Sequence, residues 1–206
     1  MWSGARRMSI THGNLSSVCV YCGSSSAADP DWLAAAARLG EILAHAGLRL
    51  VYGGGGVGLM GACARAAHAA GGAVLGVMPQ FLIGAERPVI GVETVVVTSM
   101  HERKIRMFEE ADAFVVLPGA IGTLEEAIEL LSWRRLGLHA KPIVFYNPEG
   151  FWDRLFALFE SFVDHNLVPA SFSQCWSAVE SVETILPAIL AAPRDVHVPH
   201  HVAARS

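Results

Sequence analysis

Four short segments hold the residue types that could do chemistry here. The longest is Gly53-Gly54-Gly55-Gly56-Val57-Gly58-Leu59-Met60-Gly61, in which Gly56-x-Gly58-x-x-Gly61 satisfies the dinucleotide-binding spacing. Bare backbone amides at a helix start suit a phosphate or a sugar edge. A dinucleotide site also wants a carboxylate at the end of the following strand for the ribose hydroxyls, and that stretch reads Gly76-Val77-Met78-Pro79-Gln80. The loop therefore reads as a ligand cradle of another kind, or as glycines serving tight strand–helix packing. The second segment is Pro118-Gly119-Ala120-Ile121-Gly122-Thr123-Leu124-Glu125-Glu126. Its glycines allow close approach to a ligand, and Thr123 is expected to cap the helix while offering a hydroxyl. Glu125 and Glu126 read as first-turn dipole partners, or as one catalytic carboxylate beside a neighbour that faces elsewhere. The third segment, Met100-His101-Glu102-Arg103-Lys104, sets two cations where a helix dipole disfavours them. An anionic ligand would remove that conflict; a solvated basic turn is the plainer reading. The fourth, Cys22-Gly23-Ser24-Ser25-Ser26, is a small-residue loop able to donate amides and hydroxyls.

The cysteines Cys19, Cys22, Cys63 and Cys175 offer no metal or redox site. Cys19 and Cys22 lie in an apolar run that reads as a strand, where residues three apart face opposite sides about 10 Å from each other. They are expected to be buried thiols. His197, His200 and His201 fall in a polar ending expected to be a solvated tail.

These segments must be positioned by the alternating pattern that runs through the chain. Apolar, Val- and Ile-rich runs at 17–22, 48–52, 73–78, 94–98, 112–117 and 142–146 read as strands buried on both faces, with a weaker seventh at 175–179. Between them lie helical stretches: Asp29-Pro30 to Gly47, Gly58 to Ala70, Met100 to Ala111 behind Ser99, Thr123 to Leu136, Phe151 to His165, and Val182 to Ala192. Such alternation implies an α/β fold, one doubly wound (Rossmann-like) parallel sheet of about seven strands with helices on both faces. Residues 15–193 form the single expected domain, between mobile tails 1–14 and 194–206. In this architecture ligands sit beyond the carboxyl ends of the strands, where all four segments fall.

Composition narrows the function. With 52% hydrophobic and 17% charged residues the chain can bury a core, and its net charge of −4 supplies no basic field for nucleic acid or a membrane surface. No uncharged apolar stretch reaches the roughly 18 residues of a membrane span. The start, Met1 to Arg7, has two arginines and no apolar stretch behind them, so a cytoplasmic location is expected.

Taken together the motifs resemble the LONELY GUY family, also catalogued as lysine decarboxylases. The matching segments are the Cys-Gly-Ser-Ser loop, Tyr52-Gly53-Gly54-Gly55 with Gly58-Leu59-Met60-Gly61, and Met100 to Lys104. They continue with Asp112-Ala113-Phe114 leading to Pro118–Glu126, Trp133 with Leu136-Gly137, and Lys141-Pro142, and they cover residues 15 to 190 or so. The family signature is Pro-Gly-Gly-x-Gly-Thr-x-x-Glu, and this chain departs from it at Ala120. The resemblance implies hydrolysis of the N-glycosidic bond of adenine-type nucleoside 5′-monophosphates, AMP or cytokinin riboside monophosphates, without a metal or redox cofactor. It implies Arg103 and Glu126 as the catalytic pair. Gly119, Ala120, Ile121, Gly122, Thr123 and Glu125 would surround phosphate and ribose, with Gly23, Ser24, Gly54, Gly55, Met100 and Lys104 nearby. Glu86 would match a family acid, although the local spacing differs. It also implies a homodimer or larger assembly, with the apolar face of helix 123–136 as an interface. A carboxylate such as Glu126 suits the oxocarbenium charge of ribosyl cleavage, while Arg103 would serve either the anionic end of the substrate or the leaving base. Lysine decarboxylation fits poorly, because no segment argues for a pyridoxal phosphate lysine. The alternatives are a non-catalytic nucleotide or molybdenum-cofactor carrier, which Ala120 favours, and a dinucleotide oxidoreductase, which the missing acid near Gln80 disfavours.

Overall fold

The computed structural model describes residues 15–193. The expected tails 1–14 and 194–206, with the histidines at the C-terminal end, lie outside the described residues. Seven parallel strands form one sheet in the order β4-β3-β2-β1-β5-β6-β7. They are β1 (Ser17–Tyr21), β2 (Arg49–Tyr52), β3 (Val74–Pro79), β4 (Glu93–Val97), β5 (Ala113–Val116), β6 (Ile143–Tyr146) and β7 (Ser177–Val179). The weak run at 175–179 is thus a real but short strand. The connecting helices are α1 (Pro30–His45), α2 (Gly58–Ala69), α3 (Ile83–Glu86), α4 (Met100–Glu109), α5 (Ile121–Arg135), α6 (Asp153–Asp164) and α7 (Ile185–Ala191).

Alternation along the strands divides the core in two. Val18 and Val20 of β1 pack with Leu39 and Leu43 of α1, Leu59 and Cys63 of α2, and Ile185 of α7. Cys19 and Tyr21 face the other way, against Met107 of α4, Ala127 and Leu131 of α5, and Phe159 of α6. Cys19 and Cys22 accordingly belong to opposite layers, and all four cysteines are free and buried. In α1 the buried residues Ala36, Leu39, Gly40 and Leu43 recur at three- and four-residue steps, which puts one face on the sheet and α2. Gly40 allows the two helices their close approach, since a Cβ there would stand 2.2 Å from the Cys63 carbonyl oxygen.

The helix starts differ in how they are closed. Asp29 caps α1, its carboxylate accepting from the Asp31 amide at 2.8 Å ahead of Pro30. Ser99 caps α4 through the Glu102 amide at 3.1 Å, while the Glu102 carboxylate accepts from the Thr98 amide at 2.8 Å. Expected starts are displaced at α6, which begins at Asp153, at α7, which begins at Ile185 behind a 3-10 turn, and most consequentially at α5. Helix α5 begins at Ile121 with Ala120 as its N-cap, and no side chain caps it. Thr123 is instead a buried residue inside the first turn, packed on Gly119, and Glu125 and Glu126 move into the second turn. The pattern also gave no hint of the 3-10 turn Gln80–Leu82 and the helix α3 that follow β3.

Candidate active site

The strand order reverses between β1 and β5, and the loops that leave these strands part there. The Gly23 amide donates to the Pro118 carbonyl at 3.0 Å, joining the two loops at the base of a cleft of about 140 Å³. Its walls are Cys22, Gly23 and Ser24 from the first loop, Met60 from α2, Glu86 from α3, and Met100 and Arg103 from α4. Ala120, Gly122, Thr123, Glu125 and Glu126 complete it from the start of α5.

Arg103 and Glu126 face each other with the guanidinium Nη1 3.7 Å from a carboxylate oxygen, and their side chains are only 8% and 11% exposed. Two of the arginine's other donors are already committed. Nε donates to the Val77 carbonyl at 3.2 Å and Nη2 to the Gly53 carbonyl at 3.1 Å. The side chain is thereby locked across the ends of β2 and β3, with Nη1 turned toward Glu126 and the Met100 sulfur. Burial pushes the Glu126 carboxyl up to about 7, with Arg103 pulling the other way and Glu125 adding to the rise. Near neutral pH the group is therefore divided between its acid and its carboxylate. Glu86, at the end of α3, places one carboxylate oxygen in a buried position with no partner among the described residues. Cys22 is held as a neutral thiol, because burial raises its pKa well above the ordinary value.

The two helices that start at the cleft are electrically unlike. Early amides of α2 are occupied: Leu59 and Met60 donate to the Gly23 carbonyl at 3.0 and 3.4 Å, and the preceding Gly56 amide donates to the Glu86 backbone carbonyl at 2.8 Å. At the start of α5 the amides of Ile121, Gly122 and Thr123 find no acceptor among the described residues, and no acid sits in that turn. Open amides and the positive end of a helix dipole are the features that suit an anion.

The structure thus brings Arg103, Glu126, Gly23, Ser24, Glu86, Met100, Ala120, Gly122, Thr123 and Glu125 to one surface. Five residues expected at the site stand behind or beside it. Gly54, with φ +84°, packs against Met78, and Gly55 lies between Glu86 and Met60. Gly119 receives the Thr123 side chain at a distance that leaves no room for a Cβ. Lys104 is bound to Glu125 at 2.5 Å and Glu129 at 3.1 Å, so the two cations of α4 are neutralised by acids of α5 and the dipole conflict needs no ligand. Ile121 is 79% exposed on the outer face of α5. The glycine-rich run after β2 is mainly a packing device. Gly58 has φ +59°, and a Cβ there would stand 2.5 Å from the Ser24 carbonyl carbon. Met60 and Cys22 are the wall residues the sequence reading did not select. Both sat inside quoted motifs, but an apolar side chain and a buried thiol carry no signal of contact with a ligand.

A family model described as "Possible lysine decarboxylase" matches residues 60–189. Among its relatives, the chain is 42% identical over 163 residues to the Arabidopsis thaliana cytokinin riboside 5′-monophosphate phosphoribohydrolase LOG7, covering 78% of this chain and 75% of that protein. It is 48% identical over 158 residues to a probable enzyme of the same name from Oryza sativa subsp. japonica, LOGL9, covering 75% and 68%. Solved structures share the fold at lower identity. The molybdenum cofactor binding protein from Rippkaea orientalis aligns with a TM-score of 0.62 at 23% identity, over 85% of this chain and 96% of that one. The Chlamydomonas Moco carrier protein aligns with a TM-score of 0.65 at 19% identity, over 88% and 100%.

Proposed function

The chain belongs to the cytokinin riboside 5′-monophosphate phosphoribohydrolase family, and from that premise we propose that it hydrolyses the N-glycosidic bond of adenine-type nucleoside 5′-monophosphates. The observation that carries the proposal is the buried Arg103–Glu126 pair beside an uncapped helix start. In the reaction the bond between ribose C1′ and the base nitrogen breaks, and water oxygen bonds to C1′. One water proton goes to the departing base, giving free base and ribose 5-phosphate. The 5′-phosphate docks on the amides of Ile121, Gly122 and Thr123, which fixes the sugar over the pair. Glu126, in its ionised form, faces the positive charge that develops on the sugar and orients the water. Arg103 keeps that carboxylate in place and offers Nη1 to the ligand; with Nε and Nη2 spent on backbone, it does not grip phosphate as a fork. Glu125 and Lys104 hold the start of α5 against α4, and Glu86 and Ser24 offer polar groups at the rim.

The outer face of α5 exposes Ile121 and Ile128 beside Leu124 and Trp133, lining an apolar groove. This supports a homodimer built on α5. Four free buried cysteines accord with a reducing, cytoplasmic compartment, and no described helix is long and apolar enough to cross a membrane. The test is incubation of purified protein with AMP and with isopentenyladenosine 5′-monophosphate, following free base by chromatography, beside the two nucleosides. Release from the monophosphates alone is expected. Equal turnover of adenosine and AMP would remove the phosphate seat from the argument, and no release from any of the four would refute the hydrolase reading.

A further inference from the structure

A second cavity, of about 360 Å³, opens at the opposite edge of the sheet, where β6 and β7 begin. Its volume lies within the range of small-molecule sites. Pro142, Ile143, Trp176, Val179 and Ala188 make it largely apolar, and one wall is the side chain of Arg134 from the last turn of α5. Arg134 is 3% exposed. One Nη donates to the Lys141 carbonyl and the other to the Pro193 carbonyl at 3.5 Å, whereas Nε has no acceptor. No carboxylate among the described residues pairs with it, although every other arginine with so little exposure (Arg103 alone) faces an acid. The hydroxyl of Ser177, on the same cavity, is buried without a partner as well. The neighbouring Cys175 thiol is kept neutral by burial and supplies no counter-charge.

A buried guanidinium that lacks a counter-ion among the described residues is costly, because it loses hydration without regaining a full charge of the opposite sign. The carbonyl ends of α5 and α7 offset a part of that cost. They do not explain why a hollow of ligand size remains beside the charge. We propose that this cavity is a second ligand site, for a small organic monoanion whose carboxylate pairs with Arg134 while its hydrocarbon body fills the apolar part. The site is remote from the cleft, and it stands whether or not the chain is a hydrolase.

Titration calorimetry with 3-phenylpropanoate and its neutral amide, 3-phenylpropanamide, tests this. The acid should bind about tenfold or more tightly than the amide, the discrimination a charge-assisted contact confers. Arg134→Gln should bring the acid down to the affinity of the amide. Ala188→Leu, which keeps the arginine and fills the cavity, should weaken both probes. Arg103→Ala should change neither. Equal binding of acid and amide, or no heat from the acid at about 10 mM, would overturn the proposal. So would undiminished binding in Ala188→Leu, or loss of binding in Arg103→Ala, which would assign the anion to the catalytic cleft.

Discussion

Replacing Glu126 by Gln should disable the protein and stabilise it in the same stroke. The native carboxyl titrates near 7, against an ordinary 4.5, because burial outweighs the attraction of Arg103. Between these two values the folded chain holds a proton that the unfolded chain has released, so stability falls as pH rises through the interval and is level above it. The interval corresponds to about 3 kcal/mol, at 1.36 kcal/mol for each pKa unit. The side chain is 11% exposed, so little solvent screening reduces that figure. Glutamine keeps the shape and never ionises, so the variant escapes the penalty. Relative to wild type it should gain about 3 kcal/mol between pH 4.5 and pH 8, which for a domain of this size is a relative rise in Tm of about 6–12 °C. Turnover should fall about 10²-fold or more, as for other preorganised electrostatic groups. Calorimetric melts of both proteins across that pH range, paired with the base-release assay, decide the matter. A stability difference independent of pH would refute the reasoning. So would a variant whose relative stability falls with rising pH, since the first result would mean that pairing with Arg103 cancels the effect of burial and the second that it outweighs it.

Arg103→Lys should lose about 10²-fold in kcat/KM, because one ammonium cannot reach the Gly53 and Val77 carbonyls and still face Glu126; near wild-type activity would refute the lock. Ala120→Gly should alter turnover less than about tenfold and leave Tm nearly unchanged, because Ala120 sits at φ −100° and ψ −153°, a region open to any residue; a large gain in activity would show a damaged loop. The pH profile of kcat/KM should rise toward about 7 and flatten above it, since the ionised carboxylate is the working form, and a falling profile would assign Glu126 the role of proton donor. If the proposed dimer forms on α5, Ile128→Asp should give a monomer in sedimentation velocity without unfolding the chain, as this side chain is 39% exposed; an unchanged sedimentation coefficient would refute that interface.

Strand–helix alternation was legible because the five inner strands are buried on both faces and each major helix has an apolar face, whereas the edge strands β4 and β7 keep exposed positions. The seventh strand is weaker in the sequence, being three residues long at the sheet edge. What stayed hidden was local. Helix α5 starts on Ala120, a poor cap, so Thr123 looked like the better boundary. The residues before Glu86 carry Phe81 and Ile83 on the surface, with no period to announce a helix, so that acid was reachable only through family likeness. The glycine fingerprint after β2 encodes close backbone approach without saying what approaches. Here it is the Ser24–Ser25 backbone rather than a pyrophosphate.

The grip of Arg103 on Gly53 and Val77 joins assembly of the sheet to competence of the site. The Gly53 carbonyl follows directly on β2 and that of Val77 lies within the adjacent β3, on the half of the sheet that ends in the exposed edge β4. A fluctuation that frees β3 from β2 releases the arginine from its two carbonyls and so frees the partner of Glu126. If the proposed pair carries the reaction, partly opened molecules should be silent rather than slow, and hydrolysis should report on an intact β2–β3 pairing in the way a reporter group would. Amide exchange along Val74–Pro79 and loss of activity should share one opening free energy, because both wait on the same separation of strands.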